Sequence, residues 1–203
     1  MIFPNKNIFQ KEVECYLKEK KFIIDNQIAN IFTPYISKDN YNCKSFFHKL
    51  SKQSVLMNDI SLEIRQFSDI AKDWEDRRKN TEIMLKAQHL PLNMIDEKFY
   101  MFYEKVTIVK DLMNFDIIVP EDIDISKLPA SRIMEYSQFT RIYKTRKNLK
   151  ANDVMDIQIS CIIPYVDAVI TENFQADVYR KVKRLIPQIK ELEVYTLKDI
   201  RLS

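Results

Sequence analysis

The chain has 203 residues and not one glycine. An average composition would supply about 7% glycine, roughly 14 residues at this length. Glycine lets backbone N–H groups approach a phosphate closely, so a Walker-type loop and a GxGxxG dinucleotide fingerprint are both excluded. Three cysteines (Cys15, Cys43, Cys161) and two histidines (His48, His89) show no paired spacing. Zinc motifs of the CxxC or HExxH kind are therefore absent as well. No serine or cysteine triad is evident, and His48 and His89 are given no role. Carboxylates are the main chemical resource left.

The remaining composition describes a folded domain. Apolar residues make up 46%, with 12 Phe and 10 Tyr, and the formal net charge is only +3. Such a chain is long enough for one domain with a real core and marginal for two. No apolar run approaches the roughly 18 residues of a membrane span. The opening "MIFPNKNIFQKEVECYLKEKK" is too charged for a signal peptide. A cytoplasmic, reduced protein with no membrane partner is expected.

Residues 1–20 form a charged, helical extension. Phe22 to Ile24 then reads as a short strand ended by Asp25, and Ile28, Ile31 and Phe32 give a helical face until Pro34. A short apolar run at 55–57 precedes a helix start capped by Asp59 or Ser61. Residues 69–115 are mostly helical by pattern and interrupted near Pro91; Trp74 there is a helix-packing aromatic. A candidate strand at 116–119 is followed by an acidic loop and a helix entered at Pro129. The last third runs helix 153–163, strand 168–171, helix 174–186 and strand 192–196. Alternating strands and helices predict a single α/β domain with a mainly parallel sheet flanked by helices. "FII" and "AVI" lack polar alternation, as in strands buried on both faces. Strand ends share a rim in such sheets, so Asp25 and Glu172 would meet there.

The stretch "NDVMDIQISCIIPYVDAVITEN", residues 152–173, surrounds two apolar segments with acids. Asp153 and Asp156 lie three residues apart at a helix start, on one face of its first turn. Each acid alone is explained by capping or by the helix dipole, and Glu63 alone by a solvated helix face. Taken together they suggest a site. The helix from Val154 to Ile163 is apolar nearly all round, no arginine stands among its acids in sequence, and buried carboxylates without cations are costly. Oxygen-only ligands favour Mg²⁺ or Mn²⁺ over zinc.

"FIIDNQI" resembles the opening strand and acidic residue of PIN-like nucleases. "NDISLEI" resembles their second acidic motif, with Glu63 in that role. The 152–173 stretch is similar to their late motif: an acidic helix start, a "PYxD" turn, and a strand ending in "TE". The resemblance implies a PIN-like three-layer fold over 1–203, with residues 1–20 as an extension and about 69–115 as a helical insertion. It implies a nuclease using Mg²⁺ or Mn²⁺ on RNA more readily than DNA. Asp25, Glu63, Asp156 and Glu172 form the acidic set, with Asp153 competing for the third position and for the metal. The insertion leaves room for a regulatory protein partner or a homo-oligomer. Two alternatives stand beside this reading: a PIN-like binding module without catalysis, and a helical interaction protein whose acids are only caps.

Two basic runs flank the acids. "RIYKTRKNLK" holds Arg141, Lys144, Arg146, Lys147 and Lys150; "YRKVKR" holds Arg180, Lys181, Lys183 and Arg184. They are solvated faces or phosphate contacts for nucleic acid. Tyr143 and Tyr179 are core residues or base-stacking platforms.

Overall fold

A computed structural model describes residues 5–18, 54–145, 147–196, 198 and 199, with side chains except at 5–7, 54–64 and 92. Its helices are α1 (Asn5–Leu17), α2 (Ser54–Ala87), α3 (Glu97–Asn114), α4 (Pro129–Tyr143), α5 (Ala151–Ile159) and α6 (Asn173–Val182). Two four-residue strands, β1 (Ala168–Thr171) and β2 (Glu193–Thr196), pair in parallel with Ala168 opposite Glu193.

This arrangement corrects the expected three-layer fold. The described residues are mostly helical and contain only that two-stranded sheet. The expected strand at 22–24 and its Asp25 lie outside the described residues. Residues 116–119 are not a strand but the exit from α3. Nor is β1 buried on both faces: its exposure alternates, and Ile170 is 58% exposed. The run at 55–57 belongs to α2, whose first residue is Ser54.

Without glycine, two helix ends must place other residues in the left-handed region. His89 (φ 56°) follows α2 and Asp116 (φ 57°) follows α3. Both ends form the same pair of bonds. Leu90 N–H donates to Leu85 C=O (2.8 Å) and His89 N–H to Lys86 C=O (3.0 Å). Ile117 N–H donates to Leu112 C=O (3.0 Å) and Asp116 N–H to Met113 C=O (2.9 Å). These are Schellman closures, and His and Asp tolerate the left-handed turn better than most residues with a Cβ. Ile117 and Leu112 then pack together in the core, completing the closure. His89, given no role from sequence, ends a helix.

α4 is the centre of the molecule. Every residue from Pro129 to Ile142 except Arg132 is buried. On one side Leu128, Ala130, Met134 and Ile142 join α1, α2, α3 and α5, with Trp74 in this core as expected. On the other, Ile133, Tyr136 and Phe139 meet Val178, Tyr179 and Val182 of α6, which links the two strands. α4 has several polar residues, and other helices supply partners for some of them. Arg132 pairs with Glu104 of α3 at 2.8 Å, and Gln175 donates to Ser137 at 3.4 Å.

Its N-terminus is closed by a residue from α1. Leu128 at the cap position makes no side-chain bond. The buried Glu12 carboxylate instead accepts from Ala130 N–H (2.7 Å), Ser131 N–H (3.3 Å) and Ser131 Oγ (3.2 Å), and from the Tyr165 hydroxyl. A carboxylate at a helix N-terminus satisfies orphan donors and complements the dipole. Burial nevertheless pushes Glu12 up to about 7.

Candidate functional site

The acids of the late motif meet at the other end of α4. Asp153 and Asp156 stand on the first turns of α5, while Glu172 follows β1 and caps α6 by position. Between them lies Arg141, in the last turn of α4. Its Nη2 is 3.2 Å from Glu172, 3.4 Å from Asp153 and 3.6 Å from Asp156. The guanidinium lies over the Phe174 ring at 4.0 Å and is only 9% exposed. Each end of this arrangement suits the helix dipoles: a cation at the C-terminus of α4, carboxylates at the N-termini of α5 and α6.

Sequence separation hid this arginine. Arg141 belongs to a basic run in sequence, yet in the fold it supplies the counter-charge of the acids. Nor is α5 buried all round. Only Val154 and Ile157 are buried, and Ile159 is 43% exposed.

The three carboxylates are not equivalent. Asp153 is the least exposed, and its Oδ2 accepts from Lys150 N–H at 2.8 Å, closing the first turn of α5. That is a capping role. Asp156 and Glu172 are 40% and 61% exposed. Burial first, then the charge of Glu172, raises the Asp156 carboxyl above its ordinary range, against the pull of Arg141. Three carboxylates around one guanidinium leave a formal charge of −2 on this cluster.

A cleft of about 440 Å³ opens beside the cluster, lined by Arg141, Thr145, Lys147, Lys150, Asp153 and Glu172 among others. The loop forming its rim is held from α2, a contact that sequence did not suggest. Arg78 Nη1 donates to Thr145 C=O (3.4 Å) and Lys147 C=O (3.1 Å), and Glu75 accepts from Leu149 N–H (3.5 Å). Arg78 and Glu75 are themselves paired. The only sequence signal was their i, i+3 spacing.

Among the described residues, no three His, Cys, Asp or Glu side chains stand close enough to hold a metal ion by themselves. The donor set still fits one hard cation. Magnesium is often bound through one or two carboxylates, with water and substrate phosphate completing its shell. Asp156 and Glu172 offer two oxygen ligands that face solvent and repel each other.

The other predicted residues scatter. Asp25 lies outside the described residues, as do Arg146 and the side chain of Glu63. Arg180 pairs with Asp177 (3.4 Å) and Asp199 (3.6 Å). Lys183 donates to Leu192 C=O at 2.6 Å, and Arg184 is exposed. Lys144 and Lys181 line a separate cleft, where Lys144 is tied to Ile95 C=O at 2.7 Å. Tyr179 is buried, which raises its hydroxyl pKa and removes its ring from stacking. No helix among the described residues is long and apolar enough to cross a membrane. Comparison with protein-family models, with curated proteins and with solved structures finds no match to this chain.

Proposed function

We propose that the Asp153–Asp156–Glu172 cluster is the centre of a divalent-metal-dependent hydrolase of phosphodiester bonds in nucleic acid, RNA ahead of DNA. One observation supports this most. Acids from two separate elements surround a single guanidinium and leave two negative charges in excess, and two of them, Asp153 and Glu172, border a cleft with two lysines. A purely structural carboxylate cluster gains nothing from an uncompensated excess of like charge.

Within this reading Asp156 and Glu172 hold Mg²⁺ or Mn²⁺, which when bound lowers the pKa of an attacking water and stabilises charge on the leaving oxygen. Arg141 acts on the carboxylates. It gathers the carboxylates from below and keeps their separation fixed. Asp153 anchors the start of α5 and thereby the direction of Asp156. Lys147 and Lys150, steadied by Arg78 and Glu75, take the phosphates flanking the scissile one. Asp25 and Glu63 join this set through the sequence resemblance alone.

The test is cleavage of labelled single-stranded RNA and DNA with Mn²⁺, Mg²⁺ or EDTA. Wild type should cut RNA with either metal and not in EDTA. Asp156→Asn and Glu172→Gln should each slow cleavage about a hundredfold or more while keeping the wild-type circular dichroism spectrum. Binding of RNA without cleavage under every metal condition would replace the hydrolase with a binding module.

A further inference from the structure

α3 has two apolar faces. One, with Tyr100, Ile108 and Leu112, is buried in the core. On the opposite side Phe99, Phe102, Tyr103, Val106 and Met113 recur at helical spacing, and all are exposed, Phe102 by 77%. The Phe99 and Tyr103 rings lie 4.6 Å apart and those of Phe102 and Tyr103 5.1 Å apart, so the aromatics form a continuous ridge. A helix that serves only one core has one apolar stripe. Contiguous exposed apolar surface of this kind marks an interaction site.

Charge is sorted by the same geometry. The acids of α3 turn toward α4: Glu97 accepts from Tyr136 at 2.8 Å, Glu104 pairs with Arg132, and Asp111 bonds Glu135. Its lysines Lys98, Lys105 and Lys110 are all exposed. At about 100° per residue, Lys98 and Lys105 fall along one margin of the second stripe and Lys110 within it. The outward face of α3 is thus an aromatic ridge with three positive charges.

We propose that this face docks an acidic amphipathic helix of a protein partner. Its apolar positions would lie along Phe99, Phe102, Val106 and Met113, and its acids against the three lysines. The lysines decide between occupants. Pairing two copies of this chain through α3 would set lysine against lysine. An anionic lipid surface would also meet exposed acids at both ends of the stripe, Asp96 before it and Glu121 and Asp122 beyond it. Along the ridge itself, from Lys98 to Met113, the charges on the outward face are the three lysines. The proposal is independent of the hydrolase reading.

The probes are two synthetic 21-residue amphipathic helices with the same leucine seam, one flanked by glutamates and the other by lysines. Fluorescence anisotropy should show wild type preferring the glutamate peptide, and a Lys98→Glu/Lys105→Glu/Lys110→Glu variant losing about tenfold affinity for it. That variant should prefer the lysine peptide. Phe102→Asp should abolish binding of either peptide with an unchanged melting temperature. Equal affinity of wild type for both peptides, or none for either, would overturn the proposal. So would a fall of several degrees in Phe102→Asp, which would put the ridge inside the fold. A dimer in sedimentation that Phe102→Asp dissolves would assign the face to a second copy. Flotation with vesicles of 30% phosphatidylserine, lost in the triple variant, would assign it to a membrane.

Discussion

At the N-terminal end of α4, Glu12 gathers four hydrogen-bond donors and, among the described residues, no cation. At its C-terminal end, Arg141 gathers three carboxylates. The first site is buried, with Glu12 2% exposed, and both of its carboxylate oxygens accept hydrogen bonds. The second is half open, and its charge does not balance. The contrast separates two uses of an acid. A carboxylate whose lone pairs are filled by backbone and hydroxyl groups holds elements together and has nothing left for a ligand. Carboxylates that repel one another beside a cleft have, on the reading proposed above, oxygen atoms to offer a cation.

The largest effect is expected from breaking the first site. Glu12→Ala strands two N–H groups at the start of α4 and the hydroxyls of Ser131 and Tyr165, costing about 3 kcal/mol. For a chain of this size that is a fall in melting temperature of about 10 °C. Thermal denaturation would check it, and a change under about 2 °C would mean that α4 is capped some other way. Arg141→Met should cost less, about 2 kcal/mol, because its partners see solvent, unlike those of a fully buried ion pair. Unlike the loss at Glu12, this one should be partly recovered by millimolar Mn²⁺ or at acidic pH, since either relieves the crowded carboxylates. Urea titration with and without Mn²⁺ distinguishes the two variants.

Titration sharpens the contrast further. Glu12 is raised from 4.5 to about 7, so the native state holds its proton more tightly than the unfolded chain does. The stability it contributes is therefore full below about 4.5 and is lost as pH rises to about 7. Glu12→Gln lacks that proton equilibrium. Its melting temperature should change less between pH 4.5 and 7 than that of wild type. Parallel profiles would place the pH response elsewhere.

How much of this was legible depends on the distance over which the residues act. The strand at 168–171, the strand expected at 192–196 and found over Glu193–Thr196, and the helix beginning at Pro129 follow from local pattern; the structure gathers Asp153, Asp156 and Glu172 around an arginine, while the expected Asp25 lies outside the described residues. What was misread depends on a turn at one helix end and on contacts across the fold. The run 116–119 looked like a strand because Ile117, Ile118 and Val119 are β-branched, but Asp116 turns left-handed and Ile117 closes α3. α4 has Ser131, Glu135, Gln138 and Arg141 where a central helix usually has aliphatics, so nothing in its composition announced that it is buried. Arg141 looked like one of a run of cations; only the tertiary fold places it among acids. Glu12 did leave a trace. It falls four residues after Ile8, on the apolar face with Phe9 and Val13, where a solvated glutamate has no place.

The claim that the second site has room for a cation is tested most directly by its melting temperature against Mn²⁺ concentration, with sodium chloride at equal ionic strength as the control. In EDTA, Asp156→Asn should melt at or slightly above wild type, because the raised pKa of Asp156 means that its ionised form opposes folding. Mn²⁺ at a hundredfold excess over its dissociation constant should stabilise wild type by about 2.7 kcal/mol, a rise of several degrees. Asp156→Asn should gain little, and the order of the two proteins should reverse. If wild type gains no more from Mn²⁺ than from sodium, and Asp156→Asn melts well below it in EDTA, then the three carboxylates are partners of Arg141 and nothing else.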